Sequence, residues 1–230
     1  MKKKILIILG VLIVICLAIV GVLLYNNNLE YTVEEIKELV KKGSNLPEEI
    51  YLKTEYFDNE GNIVGWVESY QNGKLKHTRQ ASKDKVVLES YLDEEEKRFV
   101  IVFHENKRLD IRENYPIDED SYNSNEFLYS IKRNEQYAHL GIYEYLGREK
   151  VNGRRCIKVS LTDNNKEGVT STNYYIDVET GYILKQENIV EGKVESSIVN
   201  IYDLTKVSGK NLKFDKEKYS DYEVISEVEE

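Results

Sequence analysis

Residues 50–204 repeat one device: apolar and polar side chains alternate for several residues, a turn follows, and the alternation resumes. A period of two puts successive side chains on opposite faces of a strand, so each stretch can bury one face and wet the other. The turns recur roughly every eight to twelve residues, too close for the crossovers that parallel strands need, so neighbours must run antiparallel. A chain written this way is confined to a meandering sheet that curves or closes on itself.

The first series of alternating stretches is 50–57 and 63–70, joined by Asp58-Asn59-Glu60-Gly61, then 74–81 after Asn72-Gly73, 86–92, 98–104 after the acidic turn 93–96, and 108–113 after Asn106-Lys107. The second series is 141–148, 154–162 after Asn152-Gly153, 169–178, 182–190 after Glu179-Thr180-Gly181, and 194–204 after Glu191-Gly192. Asn-Gly is the strongest hairpin signal, because both central positions of a type I′ turn need positive φ. Two helical patterns frame the first series. Thr32-Val33-Glu34-Glu35 is a capping box, followed by Val33, Ile36, Leu39 and Val40 at helical spacing and by Lys41-Lys42-Gly43 as a stop. Asn123 with Glu126 caps a second helix that reaches about residue 138, with Phe127, Leu128 and Ile131 on one face. The order helix, six strands, helix, five strands predicts a mainly β (α+β) domain built on one continuous curved sheet capped by helices. Residues 211–230 are polar and are expected to end in a loose acidic tail.

Ahead of the domain, Met1-Lys2-Lys3-Lys4 precedes an unbroken apolar run over residues 5–24. About 20 apolar residues at about 1.5 Å each span a hydrocarbon core of about 30 Å. The positive flank stays inside, so residues 1–4 are expected in the cytoplasm, 5–25 in the cell membrane as a single-pass signal anchor, and the domain 30–226 outside it. A cleaved signal peptide competes, but the run is long and no Ala-x-Ala follows it. Cys16 invites a lipoprotein signal, yet Ile15 stands where such a signal wants a small residue.

The net charge is −9, and −12 once the three flanking lysines are set aside. Phosphate binding works by cations that release counterions, so an acidic domain excludes nucleic acid and is expected to avoid anionic lipid headgroups. Of the two cysteines, Cys156 is alone in the domain, so no intradomain disulfide forms. Tyrosine outnumbers phenylalanine 18 to 5, as half-buried sheet faces favour. The Lys/Asn/Ile/Tyr/Glu bias resembles that of a low-GC Gram-positive bacterium.

No residue pattern points to catalysis. His77, His104 and His139 fall on separate elements, none with a ligand at metal spacing. Arg155 beside Cys156 could activate the thiol, but a small residue in a strand reads as buried packing. The acidic groups at 93–96 and 118–120 lack the spacing of a Ca²⁺ loop and read as solvated turns. Asp177 and Glu179 suggest a carboxylate pair, but they flank a turn that ends in Gly181, and turn chemistry accounts for them. A nucleophile elbow, a P-loop and a dinucleotide motif are all lacking. The expectation is a non-enzymatic protein with no metal and no cofactor.

What remains is apolar surface. Phe99, Ile101 and Phe103 alternate with Val100 and Val102, so both faces of that strand need cover. With Trp66, the sole tryptophan, and Phe127 and Leu128 of the second helix, Phe99, Ile101 and Phe103 are the candidate ligand-binding residues. Cover by a helix gives a filled core; cover by a ligand gives a greasy cavity.

The passage Val151-Asn152-Gly153-Arg154-Arg155-Cys156-Ile157-Lys158-Val159, followed by Tyr174-Tyr175-Ile176-Asp177-Val178-Glu179-Thr180-Gly181-Tyr182-Ile183-Leu184-Lys185, resembles one in the LolA/LolB superfamily of envelope lipoprotein carriers. Phe214-Asp215-Lys216-Glu217-Lys218-Tyr219, with Tyr222-Glu223-Val224-Ile225, is similar to that superfamily's closing segment. The resemblance covers residues 30–226. It implies a half-open antiparallel β-barrel capped by helices that binds a lipid, an acyl chain or a lipoprotein. The RseB-like sensors and GerS-like spore-germination lipoproteins of the same group imply an alternative, a regulator that binds an envelope protein such as a cell-wall enzyme. The long apolar anchor departs from the soluble carriers: a tethered protein receives or presents a ligand without ferrying it. Open-barrel edge strands can pair between chains, which admits a homodimer.

Overall fold

A computed structural model describes residues 15, 30–44, 47–116, 141–163, 170–203, 205–207 and 210–225. The anchor expected over 5–25 lies outside these apart from Ile15, as do the second helix with Phe127 and Leu128, His139, and the acidic group 118–120. Among the described residues no helix is long and apolar enough to cross a membrane.

Helix α1 spans Val33–Ser44. The capping box forms as its chemistry dictates: Thr32 N donates to Glu35 Oε2 at 2.8 Å, and Glu35 N donates to Thr32 Oγ1 at 3.3 Å. Ile36 and Val40 face inward and are buried, whereas Val33, at the same spacing, stays exposed. Gly43 does not lie beyond the helix as a stop. It sits in the last turn, where a Cβ would come 2.1 Å from the carbonyl oxygen of Gly181, so close backbone contact is what requires a glycine there.

The strands are β1 (Glu49–Phe57), β2 (Ile63–Asn72), β3 (Leu75–Ser82), β4 (Lys85–Asp93), β5 (Arg98–Phe103), β6 (Arg108–Arg112), β7 (Gly141–Val151), β8 (Arg154–Asp163), β9 (Thr170–Asp177), β10 (Ile183–Val190), β11 (Lys193–Asp203) and β12 (Glu223–Ile225). They form one 12-stranded sheet in the order β12-β6-β5-β4-β3-β2-β1-β11-β10-β9-β8-β7. Two meanders thus lie side by side and are sewn together by antiparallel pairing of β1 with β11. Asn152 and Gly153 both take positive φ, 50° and 78°, as a type I′ turn requires. The turn expected at Asn72-Gly73 falls one residue later. Asn72 pairs with Leu75, leaving Gly73-Lys74 as the loop, and only Gly73 has positive φ.

The register divides the sheet into two faces. On the helix face, α1 packs Ile36 and Val40 against Ile157, Val159, Leu161, Tyr174 and Ile176 of β8 and β9. The other face carries the C-terminal strap from Thr205 onward, with Val207 and Leu212 packed on Tyr51 and Tyr70, and Tyr219 on Tyr91, Val100, Val102 and Leu109. The strap ends in β12, which pairs parallel to β6. The polar stretch from residue 211, to which the sequence assigns no element, is thus part of the domain as far as Ile225. Leu212, Phe214, Tyr219 and Tyr222 supply the burial, at spacings that follow neither period, which is why the segment reads as polar.

Candidate functional site

Strand β5 shows how the two faces differ. Val100 and Val102 point into the strap face and are fully buried. Phe99, Ile101 and Phe103 point to the helix face and are only half-buried. Cross-strand pairing places Leu92, Ser90 and Leu88 of β4 beside them, then Lys76, Thr78 and Gln80 of β3, Gln71, Ser69 and Val67 of β2, and Leu52 and Thr54 of β1. Helix α1 lies over the other half of this face, on β8 and β9. The first meander thus offers apolar flanks at Leu52 and Val67 and at Leu88, Ile101 and Phe103, separated by hydroxyl rungs. Ser69 and Thr78 bond each other at 3.2 Å, which satisfies those groups within the sheet. Phe99 packs against Tyr115, the rings tilted at 35° with centroids 4.9 Å apart, so the chain leaves β6 along this same face.

Trp66 lies elsewhere. It pairs with Glu55 and Ala81 on the strap face, between Lys53 and Arg79, whose cations sit 5.9 and 5.7 Å from the ring centroid. The structure unites Phe99, Ile101 and Phe103 and separates Trp66 from them by the thickness of the sheet. Strand parity carries this information, since Trp66 pairs with Ala81 while its neighbour Val67 pairs with Gln80.

The strap face is a polar network under an aromatic cover. Tyr51, Tyr70, His77 and Tyr91 pair directly across four strands, and His77 stacks on Tyr91 at 4.3 Å. The next row alternates in charge: Lys53, Glu68, Arg79, Glu89. Opposite charges directly across a ladder stabilise it. Glu89 gathers the strap to the sheet. It bonds His77 Nε2 at 2.8 Å and His104 Nε2 at 3.1 Å and accepts from Tyr91 at 3.0 Å, while Tyr222 bonds the other nitrogen of His104 at 2.9 Å. The two histidines, expected to stand alone, therefore share one carboxylate. Their meeting depends on a register that places β3 and β5 on either side of β4. Burial alone would raise the Glu89 carboxyl, but the bonds from His77 and Tyr91 and the charges of His77 and Arg79 outweigh it and hold it down at about 2.

Asp177 is likewise a structural carboxylate. Its Oδ1 accepts from Glu179 N at 2.9 Å, Thr180 N at 2.8 Å and Thr180 Oγ1 at 2.9 Å, and Arg154 Nε donates to Oδ2 at 2.6 Å. Burial opposes ionisation there, and the bonds from Arg154 and Thr180 hold the carboxyl below its usual range. Cys156 is fully buried, and burial pushes its thiol up to about 11. Among the described residues no group of three or more His, Cys, Asp or Glu could hold a metal ion.

No protein-family model and no curated protein matches the sequence. Solved structures do. The chain is similar to MucB, with 13% identity, a TM-score of 0.49, and coverage of 79% of this chain and 62% of that one. It is similar to Mycobacterium tuberculosis lipoprotein LppX, with 7% identity, a TM-score of 0.43, and coverage of 79% and 100%. It is also similar to a domain from Vibrio parahaemolyticus described as an outer-membrane lipoprotein-sorting protein, with 10% identity, a TM-score of 0.34, and coverage of 83% and 98%. The chain spans less than two thirds of the length of MucB.

Proposed function

We propose that this protein is a membrane-anchored, extracytoplasmic, non-enzymatic binding module that handles a lipid or lipoprotein through the helix face of its first meander. The observation that carries the reading is the split in β5: Val100 and Val102 are sealed under the strap, while Phe99, Ile101 and Phe103 form a half-buried apolar row beside Leu88 and Leu92. An acyl chain laid along that row removes apolar area from water at about 25 cal/mol per Å². The hydroxyl rungs give an ester or amide group hydrogen-bonding partners within the same surface. Three of the titratable groups are set for structure. Glu89 and Asp177 are held ionised by fixed donors, and Cys156 is held protonated, whereas general acid–base work needs a group poised near the working pH.

The test is lipid extraction and mass spectrometry of the full chain purified from membranes, beside an Ile101→Asp variant. The wild type carries a stoichiometric acyl-chain species and the variant at least ten-fold less. Equal, trace amounts in both would refute the assignment. A partner-binding role, as regulator of a cell-wall enzyme, has one observation of its own: Tyr56, Ile63 and Val64 are exposed near the β1–β2 hairpin. The tyrosine-rich composition does not add to it, because Tyr51, Tyr70, Tyr91 and Tyr219 are buried under the strap. A partner that cross-links to wild type and not to Val64→Asp would favour that role.

A further inference from the structure

The acidic composition hides a local exception at the β7–β8 hairpin. An open pocket of about 770 Å³ is lined there by the cations Arg148, Lys150 and Arg155, by Tyr31 and by the carboxylates Glu149 and Glu179, among others. The register shows that its charges are sorted. Arg148 pairs with Ile157, and Lys150 with Arg155, so all three cations lie on the helix face beside α1. Glu149 projects to the opposite face and bonds Lys158 at 3.3 Å. On the cationic side Glu179 is the carboxylate among the pocket residues, 3.6 Å from Arg155 in a pair that is about 70% exposed at both ends. Such a pair contributes little and exchanges readily for a stronger anion. The Arg148 guanidinium lies 5.4 Å from the centroid of the Tyr31 ring, which holds the cation over the pocket.

Chain geometry says which anion can reach it. Tyr31 follows the apolar run by only a few residues, and a residue spans at most about 3.6 Å. If residues 5–25 are the anchor, the pocket hangs within roughly 25 Å of the headgroups of the same leaflet, inside the reach of the chain. We propose that the Arg148–Lys150–Arg155 pocket binds the phosphodiester headgroup of an anionic phospholipid and orients the helix face towards the bilayer. The inference rests on the anchored reading, and at this one place it departs from the expectation that the domain avoids anionic headgroups.

The experiment uses the full chain in neutral detergent micelles, titrated with dihexanoyl phosphatidylglycerol, dihexanoyl phosphatidylcholine and glycerol phosphate, with binding read by microscale thermophoresis. Phosphatidylglycerol should bind at least ten-fold tighter than phosphatidylcholine. An Arg148→Gln/Lys150→Gln/Arg155→Gln variant should lose that preference at an unchanged melting temperature, since all three residues are exposed. Equal affinity for the two lipids, or a variant that keeps the preference, overturns the proposal. Glycerol phosphate bound as tightly as phosphatidylglycerol overturns the lipid source in favour of a soluble phosphate ester. Ile101→Asp should retain the headgroup preference, so a failure of the acyl-binding face is told apart from a failure of this pocket. Alkaline carbonate extraction tests the anchor by itself.

Discussion

Asp177→Ala should be among the most damaging single changes in the domain. The carboxylate is 1% exposed and Arg154 is 43% exposed. Truncation leaves two backbone N–H groups of the 178–181 turn without their acceptor, each costing on the order of 1–3 kcal/mol. Arg154 regains water, which limits its share, so the total is about 3–5 kcal/mol. Asp177→Asn keeps an oxygen for the turn but puts an amide NH2 where Oδ2 accepted from Arg154 Nε, so it loses that hydrogen bond as well as the charge, at about 1–3 kcal/mol. The assay is urea unfolding followed by far-ultraviolet circular dichroism. With a slope of about 2–3 kcal/mol per molar urea, the alanine midpoint should fall by roughly 1–2 M. The pH dependence has a definite sign. The folded carboxyl lies below its ordinary range, so its stabilisation is fully present above pH of about 4 and is lost as pH falls through the folded value. Asp177→Asn should flatten that part of the acid limb. An alanine variant within 0.5 kcal/mol of wild type (about the spread of neutral surface changes), or one that adds independently to Arg154→Ala, would refute the reasoning.

Three further outcomes follow from the same geometry. Gly181→Ala places a Cβ 1.9 Å from the carbonyl oxygen of Leu39 at φ +79°, whereas Gly61→Ala, at φ +83°, meets nothing within 4 Å; thermal unfolding should show a loss of more than about 3 kcal/mol for the first and only about 1 kcal/mol for the second. Glu89→Gln should cost about 1–3 kcal/mol and speed amide hydrogen exchange across 219–225, and the wild-type contribution of Glu89, present above pH of about 4, should be lost as pH falls through about 2. Trp66→Phe should leave acyl-chain binding within two-fold of wild type, because Trp66 and Ile101 face opposite ways, and cost about 1 kcal/mol of stability through the lost contacts with Lys53 and Arg79.

Much of the sheet was legible because period two and turn chemistry are local. Each strand of both meanders lies within three residues of its alternating stretch, and the capping box at Thr32 and Glu35 formed as read. What local signals cannot carry is register. That Lys53, Glu68, Arg79 and Glu89 align into one row, and that His77 and His104 meet at Glu89, depends on the pairing register of successive hairpins. The strap was missed for a related reason. Leu212, Phe214, Tyr219 and Tyr222 are buried through tertiary contact, and their spacing advertises no element. For the candidate site, β5 was legible as doubly apolar, while parity alone separates Trp66 from Phe99, Ile101 and Phe103.

The most direct test of the binding face is photo-cross-linking of the full chain with a diazirine-bearing fatty acid, followed by peptide mapping. Adducts should concentrate in β4 and β5, at Leu88, Ile101 and Phe103, and should be competed away by unlabelled lipid. Adducts confined to the strap face around Trp66, or none that unlabelled lipid displaces, would contradict an acyl-binding helix face.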